Sequence, residues 1–292
     1  MRRNTPCISR RAVHYCAPLH LPALSAALVH NYDDESDHLR LSAEPGYDRK
    51  ARRSAGLFCF AVMSETDAPD DLDAQTRRLD PERWLSSRFI SDQDKRADVV
   101  AIYAYDHELG RAPKVASNPL LGEIRLTWWR EVLDEAYGDR AVRHHPTAQA
   151  LAQAIERRGL PREPLEAMID ARYRELDPAP MNLADALEWA DGTGGAAARA
   201  AALVLDAKAD LSAAGQAGKA WAIGRLMATA GMEGEAAQAA LAETLAAARG
   251  VSVAAFPAVA HATLARIRAQ GRRPSDLETR LRLFLAVARG KL

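Results

Sequence analysis

The spacing of apolar residues constrains this chain most, because from about Asp73 onward it follows the helical period. Apolar side chains recur every three or four positions in one segment after another. No segment alternates apolar and polar residues as a strand would, and no repeat of fixed length is evident. Abundant alanine and leucine also favour helix, since they lose little conformational freedom in one. The sequence therefore predicts an all-α protein, a single bundle of about eight to ten helices.

Polar residues, proline and glycine mark the predicted helix boundaries. Asp80 and Asn118 each precede a proline and are expected to begin helices, while Ser91 or Asp92 is expected to cap the helix between them. Gly138 is predicted to end the helix that starts after Asn118, as a left-handed cap. The segment AFPAVAHATLARIRAQG near the end of the chain is also predicted to be helical.

Two of these helices bear on function. The helix after Asp92 is predicted to break at Gly110, into a loop that carries Arg111 and Lys114 and no carboxylate. The next helix contains a Trp-Trp pair, and residues 120, 124, 128 and 132 share a stripe beside residues 121, 129, 133 and 137. This two-lane apolar face is wide enough to be buried on most sides.

Residues 1–62 differ from the rest of the chain, because they are rich in arginine, carry no acid before Asp33 and lack periodicity. One interpretation is an organelle transit peptide, which is typically Arg-rich and acid-poor. The other is that translation starts at Met63, so that residues 1–62 are a disordered extension or an error of gene prediction. The helical domain is predicted over residues 63–292.

Charge and cysteine content narrow the classes of function. Lys plus Arg and Asp plus Glu each number 39, so the net charge is zero, and a nucleic-acid protein with a basic face is not indicated. No apolar run approaches the ~20 residues that span a bilayer. All three cysteines precede Met63, so the predicted domain has no disulfide or thiolate site, which suits a reducing, cytoplasmic compartment.

Three motifs have the spacing or composition that metal or phosphate sites can show. Asp94 and Asp98, and likewise Asp206 and Asp210, have the i, i+4 spacing of carboxylates that share a helix face. Each pair is interpreted as a solvated charged face with capping acids. The DGTGG segment, residues 191–195, lacks the lysine and the preceding strand of a phosphate loop and is interpreted as a helix kink.

Longer segments carry a resemblance to a known family. RADVVAIYAYDHEL, LTWWREVLDEAYG and HPTAQALAQAIERRGLPREPLEAMIDARYREL resemble the squalene/phytoene synthase family, as do LADALEWADGTGGAAARAAALVL and AGKAWAIGRLM. The likeness covers roughly residues 81–231. It implies an isoprenoid-synthase-like all-α bundle around a central cavity. Active members of the family join two prenyl diphosphates, with Mg²⁺ held by two aspartate-rich motifs.

The positions of the two Mg²⁺-binding motifs, however, carry other residues in this chain. The first aspartate-rich motif falls on Gly110, Arg111 and Lys114, and the second should follow AGKAWAIGRL, where only Glu233 and Glu235 occur. The chain looks more like the branch of the family that lacks these motifs, which includes the mitochondrial complex I assembly factor and its alphaproteobacterial relatives. This likeness implies no catalytic residue, no metal ligand and no cofactor, with Mg²⁺ expected only if the protein is an enzyme.

Three functions stay open at this point. The first is a non-catalytic assembly or interaction factor whose partner is a protein such as a respiratory-complex subunit. Its expected location is the cytoplasm or the surface of a membrane, or mitochondria if residues 1–62 are a transit peptide. The second is an active head-to-head prenyltransferase. The third is a prenyl or lipid carrier, in which Arg111, Lys114 and Arg125 meet an anionic head group and Tyr103 and Trp129 line the cavity.

Overall fold

Helices make up the regular structure of the computed structural model, which describes residues 71–114, 116, 118–138, 140–230, 232 and 234–292. These residues contain no strand, and the predicted all-α class is confirmed. The predicted extension over residues 1–62, with its cysteines, lies outside the described residues. The helices are α1 (Leu72–Leu79), α2 (Pro81–Ser87), α3 (Gln93–Arg111), α4 (Pro119–Ala136), α5 (Pro146–Arg158), α6 (Arg162–Tyr173), α7 (Leu183–Ala190), α8 (Ala196–Leu205), α9 (Leu211–Ala230), α10 (Glu235–Ala247), α11 (Ala265–Ala269) and α12 (Asp276–Arg289).

The predicted helix starts are confirmed by their caps. Asp92 accepts a hydrogen bond from the Lys95 amide at 3.0 Å, and Asn118 accepts one from the Leu121 amide at 3.0 Å. The prediction for Gly138 is wrong, because this residue is not in the left-handed region. Its amide instead donates to the Glu135 carbonyl at 3.3 Å, a shorter-range bond that tightens the last turn of α4.

Two predicted helices are divided or irregular. A π-helical turn, Asp191–Gly195, joins α7 to α8 at the predicted kink. The predicted helix over AFPAVAHATLARIRAQG is mostly 3₁₀ turns, Phe256–Ala258 and Ala260–Leu264, before the short α11.

Backbone approach at the π turn fixes how α9 packs in the centre of the bundle. A Cβ atom added to Gly218 of α9 would overlap the carbonyl oxygen of Gly194 and the Cβ of Ala198. The two backbones are therefore in direct contact, which only glycine permits at this position. This contact holds the π turn and α9 together beside the candidate site.

The predicted burial of α4 is wrong for its first half. Leu120 and Ile124 are 63% and 54% exposed, whereas Val132 and Leu133 in the second half are fully buried. The inward side of the first half passes through Gly122, against which the side chain of Leu176 packs. A glycine contributes nothing to a pattern of apolar side chains, so the apolar pattern predicted the wrong side of this helix to be buried.

The predicted end of α3 also changes. The helix continues through Gly110 and Arg111 and ends two residues before Pro113. Ala112, which precedes Pro113, still has helical backbone angles, φ −53° and ψ −48°, although a residue before proline ordinarily disfavours them. Gly110 and Arg111 are therefore presented on the last turn of a long helix rather than in a loop. No helix of the described residues is long and apolar enough to cross a membrane.

Candidate functional site

A cavity of about 500 Å³ lies where the end of α3 meets the α1–α2 junction, the end of α6, the π turn and α9. Its volume falls within the range of small-molecule sites. Eight of its nineteen lining residues are charged, and most of the others are apolar, aromatic or small. The lining residues are Leu79, Asp80, Arg83, Asp106, His107, Gly110, Arg111, Lys114, Arg172, Glu175, Met181, Trp189, Thr193, Gly194, Trp221, Ala222, Arg225, Leu226 and Thr229.

Alternating carboxylates and guanidinium groups form a continuous ion network in the floor of this cavity. Asp106 accepts hydrogen bonds from Arg83 Nη1 at 2.8 Å and from Arg172 Nη2 at 2.7 Å. Arg83 Nε also donates to Asp80 at 2.6 Å, and Arg172 Nη1 donates to Glu175 at 2.6 Å. The side chains of Asp80, Arg83, Asp106 and Arg172 are each at most 8% exposed, so the network is buried. Buried charges are tolerated when they are paired in this way.

Aromatic rings hold the arginines in place. The Arg83 guanidinium lies 4.9 Å from the ring centroid of Tyr103 and 4.5 Å from that of Trp221. Arg225, nearer the mouth, lies 4.6 Å from the same Trp221 ring. Arg172 lies 5.4 Å from the ring centroid of Trp189. These cation–π contacts fix the guanidinium groups from their faces while the carboxylates bind their edges.

Burial and the charges of the network shift the pKa values of Asp106 and of two nearby histidines. Burial disfavours the charged form of Asp106, but attraction to Arg172 and Arg83 outweighs it and lowers the pKa of this carboxyl well below its usual range. Burial and the nearby arginines lower the pKa of His107, so that its imidazole favours the neutral form. Burial, with the charge of Arg83, lowers the pKa of His261 to about 3. His261 lies edge-on to Trp221 at a centroid distance of 5.1 Å, and its buried Nδ1 has no hydrogen-bond partner.

The structure distributes the sequence-predicted site residues over three places. Arg111 and Lys114 line the cavity. Arg125 and Trp129 line a separate, shallower pocket of about 340 Å³, which Arg111 also borders. Tyr103 lies beneath the cavity floor, 1% exposed, and its hydroxyl donates to the Ala258 carbonyl at 2.9 Å.

The two carboxylate pairs singled out by spacing lie outside the cavity lining. Asp98 is buried, not solvated as expected, because its carboxylate binds Arg157 at 3.0 Å and Arg158 at 2.6 Å. Asp206 accepts a hydrogen bond from the Lys208 amide, and Asp210 accepts one from the Ala213 amide at the start of α9. Asp206 and Asp210 are therefore local capping acids, as the sequence suggested.

The donor set of the cavity does not fit a magnesium ion. Asp80, Asp106 and Glu175 supply carboxylates, but each is bonded to a guanidinium group that would have to leave before a metal could bind. Among the described residues, no group of three or more His, Cys, Asp or Glu side chains could hold a metal ion. Magnesium prefers free carboxylate oxygens in octahedral geometry.

Sequence reasoning did not select the residues that build the network, although a signal was present. Asp106 falls on the apolar stripe of α3, and Arg172 continues the stripe of Leu165, Met168 and Ile169 on α6. A charged residue on a buried helix face needs a buried partner of opposite charge. The pairing of Asp106 with Arg172, 66 positions apart in sequence, nevertheless required the fold.

A second cavity, of about 590 Å³, lies between the end of α10 and the last residues of the chain. Three cations border it, Arg249, Arg266 and Lys291, and Arg249 and Lys291 each follow the carboxyl end of a helix. Cations at that position offset the helix dipole. Because this role explains two of the three cations, the first cavity is the stronger candidate.

Comparison with known proteins agrees with the placement of the cavity. The model of the squalene/phytoene synthase family matches residues 76–227, just over half of the chain and nearly all of the cavity lining. The chain is also similar to "NADH dehydrogenase (ubiquinone) complex I, assembly factor 6" of Bos taurus, 29% identical over 118 residues, and of Homo sapiens, 28% identical over 118 residues. Each match covers 40% of this chain and 35% of the relative, so it spans about a third of the relatives' length.

Proposed function

Because this chain belongs to the squalene/phytoene synthase family, we propose that it is a non-catalytic member that acts as an assembly or interaction factor by binding a protein partner. One observation carries the proposal. The positions where the resemblance places the first set of metal-binding acids are Gly110, Arg111 and Lys114, and all three face a cavity already occupied by a guanidinium–carboxylate network.

The physical argument concerns how a prenyl diphosphate is ionised. In active members, metal ions bridge carboxylates to the diphosphate and stabilise it as it leaves. Here the guanidinium of Arg172 lies 3.3 Å from where a Cβ of residue 110 would be, and it binds both Asp106 and Glu175. These carboxylates are engaged with fixed cations, which supports a role other than metal-dependent ionisation.

The class of partner comes from the relatives, whose name describes an assembly factor of the complex I NADH dehydrogenase. We propose a subunit of an NADH dehydrogenase as the partner of this chain. The exposed face of α12 suits such a contact, because Leu277, Leu281 and Phe284 lie at i, i+4 and i+7 and are 77%, 54% and 56% exposed. A stripe with this spacing is typical of a helix that packs against another chain.

Deleting the gene in its own host tests the assembly role. We expect less assembled NADH dehydrogenase on native gels, restored by the wild-type chain. A Leu281→Glu/Phe284→Glu double variant is expected not to restore it, while Arg282→Gln, a change at an exposed position of the same helix away from this stripe, is expected to restore it. Normal complex levels after deletion would overturn the proposal.

The prenyltransferase alternative needs a direct assay. The full chain is incubated with farnesyl or geranylgeranyl diphosphate and Mg²⁺, and release of inorganic diphosphate is measured. We expect no release above a protein-free control. Release that depends on the protein would replace the proposed function with catalysis, and a prenyl lipid co-purifying in native mass spectrometry would favour the carrier.

The proposed site of action is the cytoplasm or the surface of a membrane, where a respiratory complex is assembled. A mitochondrial location applies if residues 1–62 are a transit peptide. Fusing these residues to a fluorescent reporter and following cleavage and import distinguishes the two, since an extension without a targeting role would leave the reporter in the cytoplasm.

A further inference from the structure

The cavity of about 590 Å³ at the ends of α10 and α12 has no role in the proposed function. Its lining comes from residues between 242 and 292, whereas the squalene/phytoene synthase model matches residues 76–227. Gly250 and Gly290, both with a left-handed φ, turn the chain after the two helices and line the cavity. We call this space the α10–α12 cavity. Family membership therefore assigns it no ligand.

Positive charge is concentrated at the mouth of the α10–α12 cavity. Arg249 follows α10, Arg266 belongs to α11 and Lys291 follows α12, and all three residues are exposed. Their side chains have no hydrogen-bond or ion-pair partner among the described residues. No Asp or Glu of the described ranges lines the cavity. The carboxyl ends of α10 and α12 offset only part of this charge, because each helix end carries about half a negative charge.

The floor of the same cavity is apolar. Leu245 of α10 is 8% exposed and Phe256 is 3% exposed, and both belong to the hydrophobic core. Val251 is partly buried and packs against that core. Ala246 is small and exposed, so the apolar surface of α10 continues from the floor to the mouth. A molecule that fills the cavity would therefore contact apolar side chains at depth and cations at the mouth.

This division of the lining selects the chemistry of the ligand. Contact of an alkyl chain with the floor is favourable, because it removes apolar surface from water. A negatively charged head group at the mouth pairs with guanidinium and ammonium groups that otherwise lack partners. We propose that the α10–α12 cavity binds an amphiphilic anion, with its alkyl chain against the apolar floor and its head group at the three cations. This inference goes beyond the proposed function, because such binding needs no protein partner.

Two simpler classes of ligand match only half of the lining. A small inorganic anion would pair with the cations but leave the apolar floor without contacts. A neutral lipid would cover the floor but leave the three cations unpaired. The volume of about 590 Å³ is that of a small-molecule site, too small for the surface of a folded protein.

Calorimetric titration of the full chain with dodecanoate, below its critical micelle concentration, tests the proposal. We expect a one-to-one complex. Affinity should be at least about tenfold weaker for acetate, which lacks the alkyl chain, and for dodecyltrimethylammonium, which carries the opposite charge. No binding of dodecanoate would overturn the proposal, as would equal binding of acetate or of dodecyltrimethylammonium.

Charge variants locate the head group. Arg266→Glu and Lys291→Glu should each lower the affinity for dodecanoate by about tenfold or more. The matched control is Arg280→Glu, the same charge change at an exposed position of α12 outside the cavity and beside the apolar stripe of that helix. It should change the affinity by less than about twofold. An equal loss in the control would place the ligand on that stripe and overturn the proposal.

A cavity-filling variant locates the alkyl chain. Ala246→Trp adds a large side chain at an exposed position of the lining, so it should abolish binding of dodecanoate while its circular-dichroism spectrum stays that of the wild type. Unchanged affinity in this folded variant would contradict a chain bound in the cavity.

Flotation with vesicles identifies the source of the amphiphile. Phosphatidylglycerol vesicles supply an anionic lipid, and phosphatidylcholine vesicles are the control. Retention on phosphatidylglycerol that dodecanoate displaces and Arg266→Glu removes would assign the cavity to a membrane lipid. Dodecanoate binding without retention would assign it to a free acid.

Discussion

Replacing Asp106 by asparagine removes the central negative charge of the ion network while keeping the shape of the side chain. Removing one partner of a buried ion pair costs about 3–5 kcal/mol, because the remaining charge is left uncompensated. Arg83 keeps Asp80 at 2.6 Å, and Arg172 keeps Glu175 at 2.6 Å. The expected loss in free energy of unfolding is therefore at the lower end, about 3 kcal/mol.

Urea unfolding of the full chain, followed by the helical circular-dichroism signal, measures this loss. The matched control is Asp134→Asn, because Asp134 pairs with Arg162 at 2.7 Å but the two side chains are 44% and 36% exposed. An exposed pair contributes about 0.5 kcal/mol. If Asp106→Asn is no less stable than Asp134→Asn, the network is not the stabilising unit inferred here.

The pH dependence gives an independent check. The pKa of Asp106 in the native state lies below its ordinary value of about 3.9, so the unfolded chain takes up this proton first. The contribution of the network is therefore fully present above about pH 4 and is lost as pH falls through the native pKa. The stability gap between wild type and Asp106→Asn should narrow below about pH 4, and a gap independent of pH would refute the reasoning.

Three further variants test the packing and the buried histidine. Gly218→Ala should lower the free energy of unfolding by about 2 kcal/mol, because the added Cβ overlaps the backbone of Gly194, and this outweighs the helix preference of alanine of about 1 kcal/mol. Gly122→Ala should be near neutral in the same urea assay, because its Cβ meets the movable end of the Leu176 side chain. Leu120→Gln should leave the unfolding midpoint unchanged while Leu133→Ala lowers stability by about 2–5 kcal/mol, and a large effect of the first would contradict the exposure of α4. His261 has a pKa of about 3 in the native state and about 6.5 in the unfolded chain, so the unfolded chain binds its proton first. Its contribution to the free energy of unfolding therefore falls by about 1.4 kcal/mol per pH unit below about pH 6.5. His261→Phe should flatten that slope between pH 7 and pH 4, and an unchanged slope would contradict the reasoning.

Local signals predicted much of the fold. The aspartate and asparagine caps of α3 and α4, and the interruption at residues 191–195, depend on side chains a few positions apart, so the sequence contains them directly. The orientation of α4 was missed because the decisive residue, Gly122, has no side chain, and its burial results from Leu176 in a later segment.

The candidate site could be predicted only in part, for a related reason. Arg111 and Lys114 were found because a resemblance pointed to their positions, and both line the cavity. The network behind them joins Arg83, Asp106 and Arg172 from three different helices. Spacing along one helix gives no information about pairs that meet only in the folded bundle.

The packing of Arg172 against Gly110 has an evolutionary consequence. An aspartate introduced at position 110 alone would pair with the neighbouring guanidinium, so it would add an ion pair rather than a free metal ligand. Loss of Arg172 alone would leave the buried Asp106 with one cation and the partly buried Glu175 without its arginine, and an uncompensated buried charge is costly. A protein with this pocket would therefore need substitutions at both position 110 and position 172 to gain a metal ligand there. Because the two residues are in contact, the effects of the two substitutions are not additive, and neither one alone would provide the ligand.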